Sequence, residues 1–260
     1  ENYSDFNGGV LLLGLIYFSF QIYCDFSGYS DIAIGTSKLL GFEIMSNFKF
    51  PYFSRDVGEF WRRWHISLST WFRDYLYIPL GGSKGGKWLS IRNIFIIFIV
   101  SGFWHGANWT FIMWGLIHAM LYVPLFLRTK NRQSASNLIF ENRWFPNTKE
   151  IFQMGSTFFF TMISWVFFRS ENISCAFNYL LKMTTEIELP SHNRSGIIFV
   201  LLLAILDWIL FKNEKILFSV KQEKSFFTKM NVLKYIVYYV LVYAIFFFSG
   251  KQEKFIYFQF

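Results

Sequence analysis

The chain has 260 residues, 53% of them apolar, 23% aromatic and only 16% charged, with 35 phenylalanines. That balance excludes an ordinary soluble domain, in which about a quarter of the residues are charged. The net charge of +8 does not indicate a nucleic-acid partner either: the basic residues sit in short loops between apolar runs, where membrane orientation accounts for them.

In chain order, residues 9–24 form the first apolar run, close to the roughly 20 residues that cross about 30 Å of hydrocarbon. Asp25-Phe26-Ser27-Gly28-Tyr29-Ser30-Asp31 follows, then a short apolar segment from Ile32 to Phe42. Two carboxylates around small and hydroxyl residues predict a bent or broken helix, with Asp31 as an N-cap beside Ser30. Residues 43–60 read as a connection. From Phe60 to Tyr77 aromatic and aliphatic residues recur at helical spacing between Arg62, Arg63 and Arg73, a pattern for a helix that lies in the interface or re-enters the membrane. Residues 79–87 are a glycine-rich loop without the order of a phosphate-cradling loop.

Ile91–Phe103 and Ala107–Leu127 read as two apolar segments meeting at Trp104-His105-Gly106. Further spans are expected over 151–168, 196–211 and 232–249. Loops 128–150 and 212–231 each carry five basic against two acidic residues, whereas 169–195 carries three of each. The positive-inside rule puts the first two, and the Lys84/Lys87/Arg92 loop, in the cytoplasm and 169–195 outside. The expected architecture is therefore all-α: a multi-pass transmembrane bundle with re-entrant or interfacial helices, in one membrane-embedded domain over 1–260. The chain opens on Glu1 and is read as the C-terminal part of a longer one. Cys24 and Cys175 lack metal-ligand spacing and read as small buried apolar residues.

The region 21–118 concentrates the chemistry, with three of the four histidines and most of the tryptophans. Polar groups at membrane depth are costly and are seldom kept without use. His105, where two apolar segments meet, suits a general base, and Gly106 beside it would permit a tight turn or close approach of a substrate. His65 follows two arginines, whose charge would favour the neutral imidazole; it either orients a substrate or anchors the helix. His118, inside an apolar segment, reads as a polar bond facing the bundle, and His192 as a loop residue. No metal-ligand spacing is present and no metal is expected. Ser101 lies near His105, but nothing resembles a nucleophile elbow. On residues alone, an enzyme and a proton-coupled transporter using Asp25, Asp31, His65 and His105 remain side by side, with a non-catalytic membrane scaffold as a third reading.

Four ordered motifs go further: Gln21 to Asp31, Phe60 to Ser69, Arg73 to Gly82, and Gly102 to Ala107, with the terminal Phe255 to Phe260 in addition. With these the chain resembles the membrane-bound O-acyltransferase family, in its bacterial alginate O-acetylation branch. The resemblance implies a helical membrane fold around a funnel in the bacterial cytoplasmic membrane. An acyl donor, acetyl-CoA or another thioester, would approach from the cytoplasm, and an exported polysaccharide would accept the acyl group with help from an extracytoplasmic acetyltransferase partner. The family's catalytic histidine carries over onto His105, and its second histidine onto His65. Asn108, Trp104, Arg62, Arg63, Asp25 and Asp31 are the expected supporting residues, with Asn108 or an arginine stabilising the oxyanion.

Overall fold

The computed structural model describes residues 3–128, 144–186, 188–190, 194–212 and 231–248. Among these the chain is helical and forms no strand. The helices are α1 (Gly8–Leu39), α2 (Val57–Arg63), α3 (Ile66–Phe72), α4 (Lys87–His105), α5 (Trp109–Leu127), α6 (Thr148–Arg169), α7 (Ile173–Thr185), α8 (Gly196–Lys212) and α9 (Asn231–Phe248). Helices α1, α4, α5 and α6 are long and apolar enough to cross a membrane, so the expected all-α, multi-pass class is the one observed. The described chain divides into two compact units, 1–207 and 208–260. The first holds the bundle and every motif residue discussed below. In the second, α9 presents tyrosines and phenylalanines outward, with Tyr243 stacked on Phe247 at 4.2 Å. The motif at 255–260 and His192 lie outside the described residues.

The expected break after Asp25 does not occur. Helix α1 runs unbroken for 32 residues, about 48 Å at 1.5 Å per residue and well beyond the hydrocarbon thickness. Its hydroxyl residues turn their side chains back onto the helix: Ser19 bonds the Leu15 carbonyl, Ser27 that of Cys24, Thr36 that of Ile32 and Ser37 that of Ile34. This back-bonding satisfies the hydroxyls without opening the ladder. Asp31 is consequently an exposed mid-helix residue and caps nothing. The helix buries the face bearing Leu15, Ser19, Ile22, Tyr23 and Ser30. Cys24, on the other side, is exposed and Cys175 only half buried, both as free thiols, against the expectation of buried residues.

Helices α4 and α5 form the tightest pair, because each offers a glycine where the other's backbone passes. A Cβ on Gly102 would lie 2.3 Å from the Phe111 carbonyl oxygen, and one on Gly115 would lie 2.2 Å from that of Phe98. Small residues at a crossing let helix backbones touch, which is how spanning helices associate without a hydrophobic driving force. The turn between them is set by Asn108, the N-cap of α5, whose side chain accepts from the Thr110 N–H at 3.1 Å.

The Phe60–Tyr77 stretch is not one helix. It divides into α2 and α3, joined at Trp64-His65, and continues as a π-helical turn over Arg73–Tyr77. It packs into the bundle rather than standing apart from it. The Trp61 indole reaches His118, halfway along α5, and Trp64 packs on Trp165 of α6. Residues 169–195 also do more than connect. Asn172 caps α7, whose apolar positions Ile173, Ala176, Phe177, Leu180 and Leu181 follow helical spacing. Tyr179 donates from α7 to the Leu11 carbonyl at 2.6 Å, and the Gly8 N–H donates to the Glu186 carbonyl at 2.9 Å, so α7 closes the N-terminal end of α1.

Gly115→Leu is expected to destabilise the protein by about 1–3 kcal/mol, the usual cost of overpacking, seen as a lower melting temperature in detergent. Gly155→Leu, at a position with nothing within 4 Å of an added Cβ, should leave the melting temperature unchanged.

Candidate active site

The site grows from aromatic packing. Phe60 stacks on Trp64 with centroids 5.5 Å apart, Trp64 meets Trp165 at 5.2 Å, and Trp165 stacks on Trp114 at 6.0 Å. His105 occupies the end of this series. Its ring stands edge-on to Trp114 at 5.2 Å, Phe168 at 5.0 Å and Trp104 at 5.1 Å. Gly106 is needed here for a reason other than turn geometry. Its φ of 167° is ordinary extended backbone, but an added Cβ would lie 2.6 Å from the Phe111 ring. The group approaching Gly106 is thus the protein's own phenylalanine.

His65 comes from the other side, at the break between α2 and α3. It adopts the left-handed conformation, φ 42° and ψ 57°, a region that costs a non-glycine residue about 1–2 kcal/mol. Its ring meets Phe26 of α1 edge-on at 4.6 Å. The fold links the two motifs through the same aromatic series: Trp64, next to His65, packs on Trp165, and Trp165 and His105 both pack on Trp114. Burial pushes the His65 imidazole down to about 4. The arginines before it are not the cause, contrary to the expectation from sequence. Arg63 is engaged by Glu59 at 3.2 Å and by the Lys49 carbonyl at 2.8 Å.

A cavity of about 760 Å³ adjoins this pair, within the size range of ligand pockets. Neither imidazole is part of its lining. Arg62 and Ile66, which flank His65, do line it, as does Ser101, one turn before His105 on α4. At the other end it reaches Arg73, Tyr77 and Ser83. The Arg73 guanidinium is held by Asp74 through bonds of 2.7 and 3.1 Å.

The other expected residues take supporting positions. The Asn108 amide is occupied at both ends, its oxygen capping α5 and its nitrogen donating to the Glu171 carbonyl at 2.9 Å. It ties the α4–α5 turn to the α6–α7 turn, and an oxyanion role would require it to abandon that tie. Trp104 is exposed on one side and packs on His105 with the other. Asp25 is half buried and Asp31 exposed, and neither lines the cavity. His118, fully buried, makes the bundle-facing bond expected of it. Its Nδ1 accepts from Trp61 Nε1 at 3.3 Å, and its Nε2 pairs with Ser164 Oγ at 2.9 Å. Since Ser164 Oγ itself donates to the Thr161 carbonyl at 2.6 Å, the network assigns the proton to Nε2 of His118.

Two residues escaped the sequence reading. Glu59 is buried and bridges Arg55 at 3.1 Å and Arg63 at 3.2 Å; the Arg63 partner was legible, since opposite charges four residues apart share a helix face, whereas Arg55 reaches Glu59 from ahead of α2. Asn47 bonds across to the start of α3 and to Ser30, and no local pattern marks it.

Helices long and apolar enough to span, packed around α2 and α3 and with two imidazoles from separate motifs beside a cavity, define a helical membrane protein with a polar site in its interior. The family follows from comparison: a model of the membrane-bound O-acyltransferase family matches residues 10–170, and the chain belongs to that family. The match contains both histidines and the whole cavity lining. The chain is 48% identical over 165 residues to a probable alginate O-acetylase of Pseudomonas syringae pv. tomato, covering 63% of this chain and 29% of that protein. It is 40% identical over 166 residues to a peptidoglycan O-acetyltransferase of Helicobacter pylori, 64% of this chain and 30% of the other. It is 38% identical over 117 residues to a teichoic acid D-alanyltransferase of Bacillus subtilis, 42% and 30% of the two chains. The chain thus spans about a third of the length of these curated relatives.

The low His65 value sets a pH dependence. The unfolded chain takes up the proton near the ordinary imidazole value of 6.5 and the folded chain only near 4, so the unfolded state binds more protons between them and stability falls as pH drops through that window. Wild type is expected to lose more melting temperature between pH 6.5 and 4 than His65→Gln; parallel curves would show that His65 is not buried in this way.

Proposed function

We propose that the complete protein is an O-acyltransferase of the bacterial cytoplasmic membrane. It would move an acyl group, most simply acetyl, from a cytoplasmic thioester such as acetyl-CoA to a hydroxyl of an exported glycopolymer. The observation that carries this reading is that both histidine-bearing motifs join one aromatic series beside a cavity lined by Arg62 and Ile66 next to His65, by Ser101 one turn from His105, and by Ser83 in the loop before α4. The positive-inside assignment puts the Ser83 end on the cytoplasmic side, so the donor would enter there, past Arg73 and Arg62, and bring its thioester towards the histidines. The relatives, named for alginate, peptidoglycan and teichoic acid, support a glycopolymer acceptor without selecting one polymer.

In this mechanism His105 accepts the proton of the acceptor hydroxyl as its oxygen attacks the thioester carbonyl. The tetrahedral intermediate collapses, the carbon–sulfur bond breaks, and the leaving thiolate takes the proton back from the imidazolium. The acyl group passes directly, without an acyl-enzyme. His65, kept neutral by burial, can orient the hydroxyl or the first imidazole without adding charge. Arg62 lines the cavity and is the cation placed to stabilise the developing oxyanion or a donor phosphate. Asn108 is given no such part, because both ends of its amide already hold the turn. The extracytoplasmic acetyltransferase partner would assist from the outer side, by presenting the polymer hydroxyl to the site.

The test uses the complete chain in its native cell, with ester-linked acetate measured on exported polysaccharide at matched membrane levels. His105→Ala is expected to lower it by about 100-fold or more, the range of general acid–base catalysis, and His65→Ala by a smaller factor. Unchanged acetate in His105→Ala would overturn the catalytic reading and favour a scaffold. Gradient-dependent flux without acyl transfer would favour a transporter.

A further inference from the structure

His65 is the N-cap residue of α3, yet its side chain makes no capping bond. An N-cap side chain ordinarily accepts from the second or third N–H of its helix, and an imidazole used in this way could not also serve a reaction. The first two N–H groups of α3 are nonetheless satisfied, both by Asn47, eighteen positions before His65. The Asn47 carbonyl accepts from the Ile66 N–H at 3.0 Å, and Asn47 Oδ1 accepts from the Ser67 N–H at 3.2 Å. Asn47 is in turn anchored to α1, its Nδ2 donating to the buried Ser30 hydroxyl at 3.3 Å.

The chain is clamped equally on the other side of His65. The Lys49 N–H donates to the Arg63 carbonyl at 3.0 Å, and Arg63 Nη1 donates back to the Lys49 carbonyl at 2.8 Å. Segments 47–49 and 63–67 therefore hold one another immediately before and after a left-handed residue. A strained conformation persists only where its surroundings over-determine it, and such residues gather at functional sites. Here the surroundings are these bonds, together with the Phe26 ring against the imidazole.

We infer that Asn47 is a positioning residue for His65: it caps α3 in place of the N-cap side chain and so leaves the imidazole available at the site it shares with His105. This rests on the acyltransferase reading above, because it presumes that His65 serves the reaction. Asn47 does not line the cavity, so its loss should be felt in turnover rather than in donor binding.

The experiment uses membranes carrying the complete protein, with radiolabelled acetyl-CoA as donor and incorporation into polymer as readout. Asn47→Ala is expected to lower kcat on the order of ten- to a hundred-fold, the effect of a small misplacement of a catalytic group, with the donor KM nearly unchanged. Asn47→Asp, which keeps the acceptor for the Ser67 N–H, should recover most of that loss. Because the two residues act as a unit, Asn47→Ala in a His65→Ala background should cost nothing further. Additive losses, or full turnover in Asn47→Ala where His65→Ala is impaired, would overturn the inference and leave the acyltransferase reading intact. Full turnover in His65→Ala would instead remove His65 from the reaction, and the positioning role with it. Should Asn47→Ala fail to accumulate in the membrane, Asn47→Gln, which keeps the amide but moves it by one methylene, carries the same double-mutant comparison.

Discussion

The hydrogen-bonded series Trp61–His118–Ser164 is the interaction on which the interior depends. An indole, an imidazole and a hydroxyl from α2, α5 and α6 satisfy one another where little else could. A polar group left unpaired in that setting costs more than the bond contributes when made. The bond therefore selects the depth at which α2 lies. Once Trp61 is on His118, Phe60 and Trp64 enter the aromatic series that ends at His105. His65 follows Trp64 directly and is carried into the same neighbourhood.

The histidines thereby divide the work by environment. His118 has both ring nitrogens engaged and serves the scaffold. His105 is surrounded by aromatic rings, with Trp104 the exposed member. His65 is positioned by backbone bonds from a distant segment rather than by bonds to its ring. A rigid apolar surround with a few oriented polar groups is the arrangement that preorganised catalysis needs. It also explains why charge is consumed locally near the site: Glu59 pairs with two arginines and Asp74 with a third.

The supporting residues show where reading single motifs goes astray. Asn108 stands beside His105 in sequence and looked like an oxyanion donor, yet its amide is what fixes the turn on which His105 sits. Gly106 looked like room for a substrate, and Phe111 fills that room. Asp31 looked like a cap because helix-breaking neighbours surround it, but hydroxyls that bond back to their own helix do not break it. In each case the residue type was informative and the partner was misjudged.

What the sequence determined by itself are the features that depend on composition or on neighbours within about four residues. These are the all-helical membrane class, the junction of α4 and α5 at Trp104-His105-Gly106, and the two histidine-bearing motifs. What only the tertiary structure decided are relations across tens of residues. They include the continuity of α1, the helix α7 within 169–195, the division of Phe60–Tyr77 into two helices, the joining of the two histidine-bearing motifs through one aromatic series, and the clamp by Asn47. The physical reason is that caps, periodicity and charge spacing are settled within a helical turn, whereas a left-handed histidine is tolerable only when a distant segment supplies the bonds that hold it.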